Sequence, residues 1–266
     1  MIRVFEPKID TDDIKEVSKT LFETNISGTS PVVREFETKL AKNFDRKYAV
    51  ALSNGSVALD VAFNLHEFRK SDEVIIPSFT IISCLSAVIR SGAKPVFCDV
   101  DPLTWNMTLE NVEEVVTKNT KAVLMVHTYG LTADAKRIQN FCKKNNLILI
   151  EDAAEAHGQS ESGLKCGSFG KVSTMSFYAN KHITTGEGGA ILTNSREKYN
   201  LANQIINLDF INKSRFKHKN FYWNYRLGGM QASLGISQLN KLEKTIKNKI
   251  AQGAYYNVLL KDHKDK

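Results

Sequence analysis

One lysine, one aspartate and one serine–glycine turn are the residues of this sequence that could do chemistry together. Lys181 stands alone in the segment STMSFYANKHITTGEGG, residues 173–189. A strand-like run precedes it and a glycine-rich turn follows. A lysine in a partly dehydrated pocket loses proton affinity and becomes an amine nucleophile, whereas a lone lysine after a strand is otherwise an ordinary solvated residue. Asp152 closes the apolar run of ILIED, residues 148–152. A carboxylate at the end of a buried strand is costly unless it meets a cation, and the protonated nitrogen of a heteroaromatic cofactor would be one. A cap on a following helix is the plainer alternative. The turn Ser53–Asn54–Gly55–Ser56 lies between a strand-like and a helical stretch. Backbone N–H groups at a helix start, with the Ser56 hydroxyl and a glycine, make a phosphate cup; the same residues also make a common capped turn.

Composition narrows the setting. The chain has 266 residues, 42% hydrophobic and 24% charged, as expected of a globular protein with a sizeable core. Cys84, Cys98, Cys142 and Cys166 are widely spaced, and no histidines fall in an HxxxH or HExxH arrangement, so no metal site is expected. The first residues carry Glu6, Asp10, Asp12 and Asp13 with no apolar run, and no stretch reaches membrane-spanning length. A cytoplasmic protein with no membrane partner is expected. The net charge of +7 is uneven: residues 211–226 hold Lys213, Arg215, Lys217, Lys219 and Arg226 without an acid. Basic residues among aromatics can bind nucleic acid, but a solvated face, or attraction for a nucleotide diphosphate, explains them as well, and nucleic acid is the weakest reading.

The elements that must position these residues alternate along the chain. Short apolar runs at 48–52, 73–76, 95–97, 122–126, 147–150, 172–177 and 189–193 predict strands, and helical spacing falls between most of them. Such strands suit a mostly parallel sheet buried on both faces, an α/β domain whose ligands bind beyond the carboxyl ends of the strands. A single long helix is predicted over Gly228–Leu260, with Leu234, Ile236, Leu239, Leu242, Ile246 and Ile250 as its apolar stripe.

Taken in order, VALSNGSVALDVAF, DEVIIPSFTIIS, GAKPVFCDVDPLTWNM, TKAVLMVHTYG, LILIEDAAEAHGQ, MSFYANKHITTGEGGAILTN and NYRLGGMQASLGISQL resemble the blocks of the DegT/DnrJ/StrS sugar aminotransferases. The likeness runs from about Ile2 to Leu242, and DPLTWNM and EDAAEAHG look most like the GDP-perosamine synthase branch. The resemblance implies the large domain of a pyridoxal-phosphate-dependent aminotransferase of the aspartate aminotransferase type (fold type I). Its implied reaction is transfer of the amino group of glutamate to a nucleotide-linked 4-keto-6-deoxy sugar of the GDP-4-keto-6-deoxymannose type, for surface polysaccharide or deoxyamino-sugar synthesis. Carried over by motif, Lys181 is the Schiff-base lysine and proton shuttle, and Asp152 the partner of the pyridine nitrogen. Gly55, Ser56 and Ser176 would bind the cofactor phosphate. Glu155 would lie beside the ring hydroxyl where many relatives carry glutamine. Asn224 would reach the phosphate from a neighbouring subunit, so a homodimer with shared sites is implied. His127 and His157 would lie nearby without an assigned step, and Ile81 takes the place of a stacking aromatic. The dehydratase branch has histidine in place of the lysine, which the lysine at 181 counts against, although His182 is adjacent.

The same resemblance divides the chain into a cofactor-binding large domain, 1–227, and a connecting helix with the start of a small domain, 228–266. Family members usually run roughly a hundred residues further. A C-terminally truncated chain that binds the cofactor yet turns over poorly alone is therefore expected, and a non-catalytic, partner-dependent remnant is the alternative.

Overall fold

The computed structural model of the chain describes residues 6–210 and 217–263. Periodicity does not single out the two helices that open it, α1 (Thr11–Phe22) and α2 (Pro31–Asn43). Local chemistry starts both. Asp10 caps α1 in a reciprocal capping box with Asp13, and Pro31 supplies the fixed φ of a first helical turn.

From there strands and helices alternate: β1 (Tyr48–Leu52), α3 (Gly55–Asn64), β2 (Glu73–Pro77), α4 (Ile82–Arg90), β3 (Lys94–Cys98), α5 (Leu109–Val115), β4 (Thr120–Val126), α6 (Ala135–Lys144) and β5 (Ile148–Asp152). A two-residue hairpin follows, β6 (Ser160–Glu161) with β7 (Leu164–Lys165), then β8 (Val172–Ser176), β9 (Gly189–Thr193) and α7 (Arg196–Ile205). Seven strands form one sheet in the order β1-β9-β8-β5-β4-β2-β3. β9 is antiparallel to both its neighbours and the remaining pairings are parallel. The carboxyl ends of β1, β2, β3, β4, β5 and β8 therefore share one edge of the sheet.

Both faces of the sheet are covered, as its continuous apolar strands require. Leu59, Val61, Phe63, Cys84, Val88 and Ala202 pack α3, α4 and α7 on one side, and Phe36, Leu40, Val112 and Ile138 pack α2, α5 and α6 on the other.

The long helix expected over Gly228–Leu260 is instead two, α8 (Gly229–Asn240) and α9 (Leu242–Leu259). They break at Lys241, whose φ of −103° and ψ of 1° leave the helical region. Its Nζ donates to Asp10 Oδ1 at 2.6 Å and Asp13 Oδ1 at 2.8 Å, tying the break to α1. The expected stripe divides accordingly. Ile236, Leu239 and Leu242 are buried in the core with α1 and α2 nearby, whereas Ile250 on α9 is 67% exposed. Among the described residues no helix is long and apolar enough to cross a membrane.

Candidate active site

The shared carboxyl edge opens into a cavity of about 840 Å³ that is lined by Gly55, Ser56, Asp152, Glu155, Ser176 and Lys181. Six residues singled out from three separate segments thus meet in one place. A second cavity, of about 690 Å³ between α2 and α7, contains none of them.

Asn54 caps α3, its Oδ1 accepting the Val57 N–H at 2.9 Å, so the Ser53–Ser56 turn is both a capped turn and a cavity wall. Glycine is required at 55 because a Cβ there would lie 2.7 Å from Ser176 Cβ. It is required at 189 for the same reason, since a Cβ would lie 2.5 Å from Asn54 O. These approaches bring the first turn of α3, the end of β8 and the start of β9 together. The Ser56 hydroxyl pairs with that of Ser83 at 2.7 Å, and Ser176 Oγ accepts the Tyr178 N–H at 3.4 Å.

Lys181 is carried by the connection between β8 and β9. Phe177 N–H donates to Gly188 O at 2.8 Å and Thr185 N–H to Phe177 O at 2.9 Å, closing the loop at its base. Phe177 and Ile183 are fully buried, which anchors the loop on both sides of the lysine. Lys181 Nζ lies 2.9 Å from Glu155 Oε1, and Glu155 Oε2 accepts the Tyr129 N–H at 2.9 Å.

Asp152 ends β5 and is buried, and no helix follows it; residues 153–159 are turns and irregular chain. The helix-cap alternative thus has no helix to cap. Its Oδ1 accepts the Ala154 N–H at 3.0 Å, and Oδ2 lies 3.5 Å from Cys84 Sγ. Burial pushes the carboxyl's pKa up, opposed by the Ala154 and Cys84 hydrogen bonds and by the nearby His127 and Lys181. A carboxylate so placed, with a weak thiol donor on one oxygen, can still take a cation. A helix N-terminus with two hydroxyls, a buried carboxylate and an amine at one cavity are the groups that the expected cofactor needs for its phosphate, ring nitrogen and aldehyde. The residues fit it.

Other expectations separate. Ile81 lines the cavity as the residue before α4 and is 63% exposed. His127 lines the cavity while His157 does not. His157 is buried against Phe44 and Phe177, and burial first, then the charges of His182 and Lys181, lowers its pKa to about 3. His182 Nδ1 lies 3.4 Å from His157 O, outside the cavity lining. Asn224 is exposed and does not line this cavity; its backbone bridges to Asn207 and its Oδ1 accepts the Arg226 N–H at 3.3 Å. Of the basic stretch 211–226, Lys213 and Arg215 lie outside the described residues.

The hub behind the site is absent from the sequence reading. Glu151, fully buried, accepts from Gly167 N at 2.5 Å, Phe169 N and Gly170 N at 2.9 Å, Ser173 Oγ at 2.6 Å and His127 Nε2 at 3.0 Å. Arg46 braces the same loop through Gly167 O, Gly170 O and Ser173 Oγ. Alone, burial would raise the pKa of Glu151; the hydrogen bonds from His127, Ser173 and Gly170 hold it down at about 2. His127, Glu151 and Cys166 place potential ligand atoms within 4.8 Å of one another. The His127 and Glu151 atoms are already committed, however: His127 Nδ1 accepts the Ala133 N–H at 3.1 Å and the Glu151 oxygens take the donors above. The only available signal was ED at a strand end, which puts a second acid inside the protein.

The chain and its fold have known relatives. Residues 7–266 match the profile of the DegT/DnrJ/EryC1/StrS aminotransferase family. GDP-perosamine synthase of Vibrio cholerae is 36% identical over 249 residues, 94% of this chain and 68% of that protein. An aminotransferase structure from Psychrobacter cryohalolentis superposes with a TM-score of 0.83 at 35% identity, covering 89% of this chain and 63% of that one. An E. coli GDP-4-keto-6-deoxy-D-mannose-3-dehydratase with bound hydrated PLP gives 0.91 at 27% identity, over 98% of this chain and 74% of that one. The chain thus spans about two thirds of the length of the first two proteins.

Proposed function

The chain belongs to the DegT/DnrJ/EryC1/StrS aminotransferase family, and we propose that it binds pyridoxal 5′-phosphate and transfers an amino group from glutamate to a nucleotide-linked 4-keto-6-deoxy sugar, of the GDP-4-keto-6-deoxymannose type. The observation that carries this is Lys181 at one wall of the cavity with the buried Asp152 at another and the close approach of Gly55, at the start of α3, to Ser176, at the end of β8. The identity to a GDP-perosamine synthase supports the choice of sugar nucleotide.

When bound, the cofactor supplies an aldehyde for amine exchange and a protonated ring that withdraws electrons from the bond being broken. The chain's residues do the rest. The start of α3, with Gly55, Ser56 and Ser176, holds the phosphate, as a helix N-terminus favours an anion. Asp152 keeps the proton on the ring nitrogen, and its burial makes that pairing strong. Lys181 Nζ is the amine that carries the cofactor, and the base that takes up and returns the proton at the reacting carbon. Glu155 pairs with the free Lys181 amine and would lie beside the ring hydroxyl once the cofactor is attached. In a homodimer, Asn224 of one subunit reaches the phosphate site of the other. Its exposure outside its own cavity supports that assignment.

A dehydratase would need His182 at the reacting carbon. Its contact with His157 O, away from the cavity, favours the transaminase instead. Incubation with glutamate and a panel of nucleotide-linked keto sugars, followed by mass measurement of the products, tests the proposal. Amination of the GDP-linked 4-keto-6-deoxy sugar is expected; turnover of none of the panel by cofactor-loaded protein overturns it.

A further inference from the structure

We propose that Phe79, Trp105 and Tyr129 form the subsite for the sugar ring of the substrate, the apolar C–H face of the pyranose lying on their aromatic faces. The inference rests on the nucleotide-sugar function proposed above and names where that sugar sits.

The three residues come from three different connections, those after β2, β3 and β4, all on the edge of the sheet that carries the cavity. Their rings touch: Phe79 and Trp105 have centroids 5.2 Å apart, Trp105 and Tyr129 5.8 Å, and Phe79 and Tyr129 6.1 Å. Phe79 and Tyr129 line the cavity itself, with Trp105 against both. Yet they are not core residues, being 41%, 47% and 67% exposed for Phe79, Trp105 and Tyr129. A contiguous exposed aromatic patch at the mouth of a cavity is the mark of a binding surface.

Two of the rings are held there against backbone preference. Trp105 has φ of 57° and Tyr129 φ of 54°, the left-handed region that bulky residues rarely enter. The strain persists because the two loops are locked together. Buried Asn106, next to Trp105, accepts the N–H of Thr128 at 2.8 Å and donates to the Thr128 carbonyl at 3.3 Å, and Thr128 adjoins Tyr129. Trp105 N–H donates to Asp101 O at 2.7 Å. A glycine in either place would fit the backbone better, so the rings themselves are what the strain secures.

The chemistry of the occupant follows from what the platform offers. The indole N–H of Trp105 is engaged by Pro102 O at 3.1 Å, so it presents its ring more than a free donor. Such a surface suits the polarised C–H bonds of a pyranose, and the methyl group of a 6-deoxy sugar adds apolar area. Position selects the sugar over the base. Tyr129 N–H binds Glu155 Oε2 while Glu155 Oε1 meets Lys181 Nζ, so one carboxylate joins the platform to the reacting amine. The base of a sugar nucleotide is separated from its reacting carbon by a ribose and a diphosphate.

The test titrates cofactor-loaded wild type, Trp105→Ala and Tyr129→Gly by calorimetry with GDP-perosamine and, separately, with GDP. Tyr129→Gly keeps the N–H to Glu155 and relieves the backbone, so it supplies a folded variant should Trp105→Ala unfold. The expected result is a Kd for GDP-perosamine raised about tenfold or more, a Kd for GDP changed by less than about twofold, and unchanged visible absorbance of the cofactor. Equal weakening toward both ligands would place the base on the platform, and unchanged affinity for both would leave it without a role; either result overturns the proposal. Wild type that binds neither ligand would remove the sugar-nucleotide reading, and the subsite with it.

Discussion

Lys181 Nζ stands 2.9 Å from Glu155 Oε1, a pairing between residues 26 apart in sequence. To attach a cofactor the amine must leave this carboxylate, while the other Glu155 oxygen stays fixed by the Tyr129 N–H. Borohydride reduction of the loaded protein, followed by peptide mapping, is expected to place the cofactor on Lys181. Lys181→Arg keeps a positive charge beside Glu155 but no amine that can attach the cofactor, so it should keep the fold and lose the covalent adduct. An adduct on Lys165 or Lys171 would show that another amine carries the cofactor.

Asp152→Asn tests the buried carboxylate. An amide cannot hold a proton on the ring nitrogen as an anion does. Turnover should fall on the order of a hundredfold or more, equivalent to about 3 kcal/mol of transition-state stabilisation. Single-turnover kinetics at matched cofactor content would measure it. A rate near that of the wild type would return Asp152 to a structural role.

Cys84 approaches the same carboxylate with Sγ 3.5 Å from Asp152 Oδ2, and accepts from Thr80 Oγ1 at 3.3 Å. A thiol is a weak donor and leaves Oδ2 available, whereas the hydroxyl of Cys84→Ser would bind it more strongly. Cys84→Ser is expected to weaken cofactor binding several-fold, with Cys84→Ala affected less. Absorbance titration gives both constants, and the reverse order would show that the thiol hydrogen bond is needed.

Glu151 links the hub to acid stability. Its folded pKa of about 2 lies below the ordinary 4.5, so the unfolded chain takes up the proton first as pH falls. Its contribution is full above the ordinary value and fades toward about pH 2. Glu151→Gln would turn an amide donor toward backbone N–H groups and should cost about 3–5 kcal/mol near neutral pH. Urea titrations of wild type and variant should converge as the pH falls; a pH-independent difference would contradict this account.

Asn224→Ala addresses the shared site. If Asn224 serves a neighbouring subunit, cofactor retention should fall roughly tenfold, about 1.4 kcal/mol, with no change in the unfolding midpoint. Sedimentation and dialysis at equal protein concentration would show this. A monomer that retains the cofactor tightly would refute the shared site.

Much of the site is legible in sequence because each part is local. An apolar run ending in a polar residue marks the carboxyl end of a strand, and a parallel sheet gathers such ends on one edge, so Asp152, Ser176, Lys181 and the Ser53–Ser56 turn could be named before any contact was known. Gly55 and Gly189 stand in those same segments, but the reason each must be glycine is a neighbour from elsewhere: Ser176 for one and Asn54 for the other. Tertiary structure alone decided the pairings across long separations. Cys84 meets Asp152 68 residues away, Arg46 reaches Gly170 across 124, and Lys241 breaks the last long helix by binding Asp10, 231 residues earlier. Periodicity records which face of an element is apolar; it carries no information on strand order or register. Those are set by the packing of helices on both faces of the sheet, and they determine which charges, thiols and rings become neighbours.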